Sequence, residues 1–213
     1  MRHTLDAPVL AGRLVRLEPL ASVHIEDLAE AASESRETFA YTTVPDGPEE
    51  LAGYVQERLS SHDVTPFAQV RTDDGRVLGC TSFLSFRWWP GPIGHLYAVE
   101  IGGTWLAPSA QRSGMNREAK LLLLAHAFEA WRVARVDFKT DARNERARKA
   151  IDSLGARFEG VLRSWEPSRA RGEEGALRDS AIYSVVASQW PSVSAHLQGA
   201  LRGPLSAQPP RRS

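Results

Sequence analysis

Cysteine is almost absent from this sequence: Cys80 is the single one in 213 residues. An intrachain disulfide is therefore impossible, and a zinc site built on several thiolates is excluded. Excess charge is missing too. Lys+Arg and Asp+Glu both number 26, so no global field draws the chain toward nucleic acid or a membrane surface, although a local basic patch remains compatible with that balance. No run approaches the roughly 18 apolar residues of a membrane span. The opening MRHTLDAPVLAGRLVRLEPL has neither the apolar stretch of a signal peptide nor the Arg/Ser-rich character of a transit peptide. The expectation is a cytoplasmic protein without a membrane partner and without direct nucleic-acid binding. Internal repeats are lacking, and no Gly-Lys-Ser/Thr of the Walker type is present, which argues against an NTPase.

What is present is an ordinary globular mixture, 42% hydrophobic and 24% charged, long enough for one domain with modest extensions. The expected organisation is a flexible N-terminus at 1–8, one domain at 9–201 and a disordered Pro-rich tail at 202–213. Arg13 to Leu17 alternates and reads as a strand. Ser22 caps an expected helix to Ser33, with Val23, Leu28 and Ala31 inward. A second helix runs from Pro48 to Ser60 with Leu51, Tyr54, Val55 and Leu59 on one face, and Asp46 with Glu49 as its capping box. Pro66–Arg71 and Val77–Phe86 flank Asp74-Gly75, a strong hairpin signal. His95–Leu106 is a strand. Arg117–Trp131 is the clearest helix, with Leu121, Leu124, Ala125 and Phe128 in step. Val133–Thr140 is a strand, Asn144–Leu154 a helix stopped by Gly155, Phe158–Trp165 and Ala181–Val186 are late strands, and a short helix begins near Pro191. Antiparallel strands followed by a β–α–β crossover imply a mixed sheet with helices on both faces.

The chemistry concentrates where the central strand turns into the long helix, through Gln111-Arg112-Ser113-Gly114-Met115-Asn116. Backbone N–H groups at a helix start lack intrahelical partners and carry about half a positive charge. A phosphate fits there. Ser113 and Gly114 allow close approach, and Arg112 and Arg117 add charge. Glu100 stands in the otherwise apolar strand Leu96–Leu106. Turned inward, its pKa would rise and suit proton abstraction; it also reads as half of a structural ion pair or as an outward-facing residue.

This loop resembles the acetyl-CoA pyrophosphate loop of GNAT acyltransferases, usually written Q/R-x-x-G-x-G/A, with Asn116 in place of the last small residue. The flanks Glu100-Ile-Gly-Gly-Thr-Trp-Leu-Ala-Pro, Glu118-Ala-Lys-Leu-Leu-Leu, Phe138-Lys-Thr-Asp-Ala-Arg-Asn-Glu-Arg, Ala150-Ile-Asp-Ser-Leu-Gly-Ala and Arg178-Asp-Ser-Ala-Ile-Tyr-Ser are similar to the RimJ/RimL-like branch, the ribosomal-protein N-acetyltransferases. The likeness spans about Leu14 to Leu201. It implies an α/β (α+β) GNAT fold: a mixed, mostly antiparallel sheet of about seven strands, splayed at the fourth and fifth, with helices on both faces.

The resemblance also implies acetyl-CoA as co-substrate, no metal, and an amine acceptor that is a protein N-terminus or a small molecule, in a monomer or homodimer. Pantetheine would pair with the backbone of Thr104, Trp105, Leu106 and Ala107. The pyrophosphate would meet Gln111, Arg112, Ser113, Gly114, Met115 and Asn116. Asn144 would contact pantetheine or a water near the thioester, beside its plain capping role. Glu100 is the family's choice of base. Where the family commonly has a serine three residues after Asn144, this chain has Ala147, so the acid for the leaving thiolate falls to Tyr183 or Ser153, with core packing the alternative for Tyr183. His95 and His126 read as structural or exposed, Cys80 as an apolar filler, and Trp88 and Trp89 as packing or cleft residues. The basic run Arg143–Lys149 reads as a CoA 3′-phosphate contact or a solvated face. Acceptor loops are expected near 34–48, 86–94 and 166–177. The competing reading is a CoA-binding module without catalysis, favoured by Ala147 and Asn116.

Overall fold

The computed structural model describes residue 5, residues 8–91 and residues 94–202. The expected flexible start and the tail therefore lie almost wholly outside the described residues, as does part of the 86–94 loop. Among the described residues, eight strands and five helices follow in the order β1 (Leu10–Ala11), β2 (Val15–Pro19), α1 (Ile25–Ser33), α2 (Gly47–Ser60), β3 (Val64–Arg71), β4 (Val77–Trp88), β5 (Leu96–Leu106), α3 (Met115–Ala125), β6 (Arg135–Asp141), α4 (Glu145–Asp152), β7 (Arg157–Pro167), β8 (Leu177–Val186) and α5 (Trp190–Arg202). The eighth strand relative to expectation is β1, a two-residue piece folded back on β2. No described helix is long and apolar enough to cross a membrane.

One sheet, in the order β1-β2-β3-β4-β5-β6-β8-β7, contains every strand among the described residues. All neighbours are antiparallel except β5 and β6, which run parallel because α3 carries the chain back between them. The hairpin at Asp74-Gly75 forms as its turn chemistry dictates: Gly75 takes φ +73°, which glycine adopts without a Cβ clash. On β4, Lys120 of α3 reaches the Thr81 side chain and Arg58 of α2 reaches Ser82. Successive strand residues point to opposite faces, so α2 and α3 cover opposite faces of the sheet. Leu17, Leu28, Leu51, Phe67, Phe83, Leu123, Phe138 and Leu197 are fully buried between these layers. Each large side chain so buried contributes about 1.5–3 kcal/mol.

Some expectations fail locally. Val23 is 79% exposed because residues 22–24 form a tight 3₁₀ turn before α1, which rotates Val23 off the core face. The N-terminus of α2 is closed by Glu50, whose carboxylate accepts the Asp46 N–H, rather than by Glu49. Leu59 is exposed at the end of α2. The buried stripe is Ala119, Leu123 and Leu124 on α3, continued by Ala127 in the π-type turn His126–Ala130 that follows it. Leu121 and Ala125 lie on the flank of that stripe and are only half-buried. Gly155 does stop α4, at φ +85°.

Glu118 ties α3 to the sheet. Its carboxylate accepts the backbone N–H groups of Arg13 and Leu14 at 3.0 and 2.6 Å, and of Val15 at 2.9 Å. Gly12 packs so closely that an added Cβ would lie 2.4 Å from Glu118 Oε2. This clamp holds the start of α3 fixed relative to β2.

Candidate functional site

The central sheet opens at one place. β5 and β6 pair only through Ala98–Arg135, Val99–Val136 and Glu100–Asp137. Beyond Glu100, β5 continues to Leu106 and β6 to Asp141 without a shared rung. A bulge on β5 bends it away from regular pairing with β4: Cys80 faces Trp105 and Ser82 faces Gly102, so Gly103 and Thr104 together oppose Thr81. Gly103 supplies φ +57°, the left-handed conformation such a bulge uses. A cleft of about 590 Å³ fills the opening, lined from α2 by Tyr54 and Arg58, from β5 by Glu100 to Trp105, from α3 by Asn116 and Lys120, and from β6 by Phe138, Lys139 and Thr140.

Glu100 sits at the fork, the last residue of β5 paired with β6, 8% exposed. Burial pushes its carboxyl above the usual range, and the Lys139 ammonium, 3.3 Å away, partly opposes that shift. Lys139 is itself drawn down by burial, but Glu100 and Glu166 outweigh that and hold it protonated. Glu166 pairs with both Lys139 and Arg178. The ion-pair reading of Glu100 is thus met by a lysine.

On the other face, Lys120 is 5% exposed and donates to Thr81 Oγ1 at 2.9 Å and Thr104 Oγ1 at 2.5 Å. No carboxylate pairs with it among the described residues, and burial lowers its pKa to about 7. Neither Lys120 nor Arg58 stood out in the sequence. Lys120 sits in step with Asn116, four residues earlier, and an ammonium on an inward helical face was the available signal.

The β5 edge and the loop behind it form a second zone. The Ala107 N–H donates to Leu78 and the Trp105 carbonyl accepts from Gln69, both toward β4 and β3. Alternation turns Thr104 and Leu106 the other way, toward the opening. The Gln111 amide donates to the Leu106 carbonyl and to Thr38. Ser113 Oγ donates to Ala110 O and accepts from the Met115 N–H. Gly114 caps α3 with φ +91°, a conformation that disfavours any side chain. Met115 is buried, while Asn116 turns toward the cleft with Oδ1 unpartnered. Arg146 of α4 has its pKa lowered by burial and then by the positive charge of Arg112. Two guanidiniums that oppose each other beside a helix N-terminus are suited to a phosphate group. Asn144 caps α4, its Oδ1 accepting the Ala147 N–H at 3.0 Å; that leaves its NH₂ group available as a donor.

Several other sequence candidates lie elsewhere. Tyr183 is fully buried and absent from the cleft lining. Its hydroxyl accepts from Arg148 Nε at 3.1 Å, and its ring packs on Phe158. Its strand is paired on both sides, so no cleft opens beside it. Ser153 Oγ is exposed and donates to Ala150 O. Cys80 is buried and its thiol pushed up to about 12 by desolvation, which leaves no thiolate nucleophile. His126 packs among Phe83 and Trp131. Trp89 is exposed against Tyr97. Of the three expected acceptor loops, Tyr41, Thr42 and Thr43 represent the first and Glu166 and Arg169 the third; among the described residues none of 86–94 lines the cleft. In the basic run, Arg143 is taken by Asp141 and Glu173, and Lys149 by Glu145.

The comparisons agree with this geometry. A family model described as an acetyltransferase (GNAT) domain matches residues 14–157. Among solved structures, a GCN5-related N-acetyltransferase from Brucella melitensis superposes with TM-score 0.81 at 26% identity, over 97% of this chain and 90% of that one. A T. thermophilus protein provisionally described as an acetyltransferase is 36% identical, with TM-score 0.76 over 92% and 98% of the two chains. Mycobacterium smegmatis RimJ, solved with CoA-disulfide, shares the fold at 21% identity and TM-score 0.71, over 91% and 92%. Among curated proteins there is no significant sequence match.

Proposed function

The chain belongs to the GNAT acetyltransferase family, a membership that implies acetyl transfer from acetyl-CoA, and from that premise we propose an N-acetyltransferase of the RimJ/RimL-like branch acting directly on a primary amine. The observation that carries the reading is the position of Glu100: a buried carboxylate at the fork between two strands that part at that residue.

Acetyl-CoA fits the residues present. The β5 edge at Thr104 and Leu106 turns backbone groups toward the opening, where pantetheine amides would pair with them beside the Gln111 amide already on the Leu106 carbonyl. The loop Gln111–Asn116, with the N–H groups of the first turn of α3, Arg112 and Arg146, would hold the pyrophosphate. Asn144 would donate to pantetheine or a bound water. When bound, acetyl-CoA supplies the activated acyl group.

The remaining steps belong to the chain. An acceptor amine is largely protonated near neutrality. Glu100, with its raised pKa, would take that proton directly or through water as nitrogen attacks. Backbone N–H groups of the bulged strand would donate to the oxyanion. The proton returns to the departing thiolate or to solvent; Tyr183, locked on Arg148, is not assigned this task. A base held in the cleft favours transfer over a CoA sensor that only binds.

The test has two parts. Acetyl-CoA should raise the melting temperature by mass action, and a panel of amines should release free thiol from it. A melting curve unmoved by millimolar acetyl-CoA, or thiol release that no amine accelerates, overturns the proposal.

A further inference from the structure

The acceptor side of the cleft holds a cation without a counter-ion. Lys139 and Arg178 are engaged by Glu100 and Glu166, and Lys120 bonds two threonines on the opposite face. Arg58 differs. Its Nη1 donates to Ser82 Oγ at 3.3 Å, its guanidinium lies 4.7 Å from the Tyr54 ring centroid, and it forms no ion pair among the described residues. Arg169, Glu57 and Asp63 also line the cleft, all three exposed on its rim. A half-buried guanidinium held on an aromatic face, with donors left over, is a ready receptor for a carboxylate.

Its spacing from Glu100 has a scale. A Cβ on Gly102 would lie 3.0 Å from Glu100 Oε1, and a Cβ on Gly103 would lie 2.8 Å from Arg58 Nη1. The two glycines are neighbours, with Cα atoms about 3.8 Å apart. The carboxylate and the guanidinium therefore reach two successive residues of β5 from within one cleft, the scale of a small acceptor rather than of a long chain. A diamine or polyamine would set its second cation against Arg58.

We propose, resting on the acetyltransferase reading above, that the acceptor is a small amino-carboxylate of the free α-amino-acid type, its amine at Glu100 and its carboxylate on Arg58. The amine attacks the acetyl carbonyl, the C–S bond breaks, the amine's proton passes to Glu100, and the products are an N-acetyl amino acid and CoA.

The experiment compares initial rates of thiol release from acetyl-CoA with free α-amino acids, their α-amides, and short peptides with free N-termini, in the wild type, Arg58→Met and Arg58→Lys. The expected result is kcat/KM for the preferred acid at least about tenfold above its amide, the least that one charge-assisted contact should give. Arg58→Met should bring the acid down to its amide, and Arg58→Lys should keep part of the preference, which separates loss of charge from loss of fold. Amides or peptide N-termini that serve as well as the acids overturn the inference and leave the transferase reading standing. So does an Arg58→Met enzyme that keeps the preference. Failure of every amine to accelerate thiol release removes the transferase reading and this inference together.

Discussion

The Lys139 ammonium stands 3.3 Å from the Glu100 carboxylate, two residues past the rung where Glu100 and Asp137 last join β5 to β6. Burial pushes the Glu100 carboxyl above its usual range, and the neighbouring cation partly opposes that shift. The pair sets the proton affinity of the proposed base, and it rests on residues from two strands.

Glu100→Gln should lower kcat by about 10²–10⁴-fold, the usual range for a general base, with acetyl-CoA binding little changed. In the wild type, kcat/KM should rise with pH on an acidic limb above the ordinary glutamate pKa, since the base works as the carboxylate. Rates for Glu100→Gln equal to wild type across pH 6–9 would retire Glu100.

Lys139→Met removes the group that holds the Glu100 pKa down. The acidic limb should move to still higher pH, with activity recovering at alkaline pH. A carboxyl with a folded pKa above its unfolded one binds its proton more tightly when folded. Its contribution to stability therefore falls as pH rises between those two values. Parallel pH–rate profiles of wild type and variant measure the effect, and superimposable limbs would contradict it.

Lys120 gives a stability prediction of opposite sense. Its folded pKa is about 7, below the ordinary lysine value of 10.5. Between those values the unfolded chain binds more protons, so stability should increase with pH from about 7 toward 10. Below pH 7 the charge is carried in both states and the full cost of burying it applies. Lys120→Met should flatten this dependence, as read from urea unfolding at several pH values; equal slopes for the two proteins would exclude the effect.

Glu118→Ala leaves the N–H groups of Arg13, Leu14 and Val15 without their acceptor. Hydrogen bonds to a charged group are worth about 1.5–3 kcal/mol each, and buried donors left unpaired cost about as much, so a loss of at least about 3 kcal/mol is expected in chemical denaturation. A loss under about 1 kcal/mol, the net worth of one ordinary hydrogen bond, would show that the clamp contributes little.

Asn144→Asp keeps an acceptor for the Ala147 N–H, so stability should hold, while the lost amide donor should weaken acetyl-CoA binding or slow transfer by roughly tenfold, about 1.4 kcal/mol. Asn144→Ala should cost about 1 kcal/mol of stability through the cap. A fully active Asn144→Asp enzyme would leave Asn144 as a cap and nothing more.

The sequence by itself determined what rests on neighbours in the chain. The Asp74-Gly75 turn, the Asn144 cap and the Gly155 stop are short-range steric and hydrogen-bonding events, and they appear where their residues place them. The loop Gln111–Asn116 was readable for the same reason, since a strand, a glycine turn and a helix start lie within a few residues. For Glu100, a lone carboxylate in an apolar strand left burial, an ion pair and outward exposure all open, and the structure shows it buried and paired. Only the tertiary structure decided who meets Glu100. Lys139 pairs with it and Glu166 with that lysine, while Arg58 and Lys120 line the same cleft; the four come from four different elements, and no local pattern marks them as neighbours. The β5 bulge is a mismatch of register between two strands, invisible in either strand alone. Tyr183 shows the converse. Its strand was recognised, but pairing with β6 and β7 on both sides shut it away from the cleft, because a sheet opens only where two neighbouring strands stop sharing rungs.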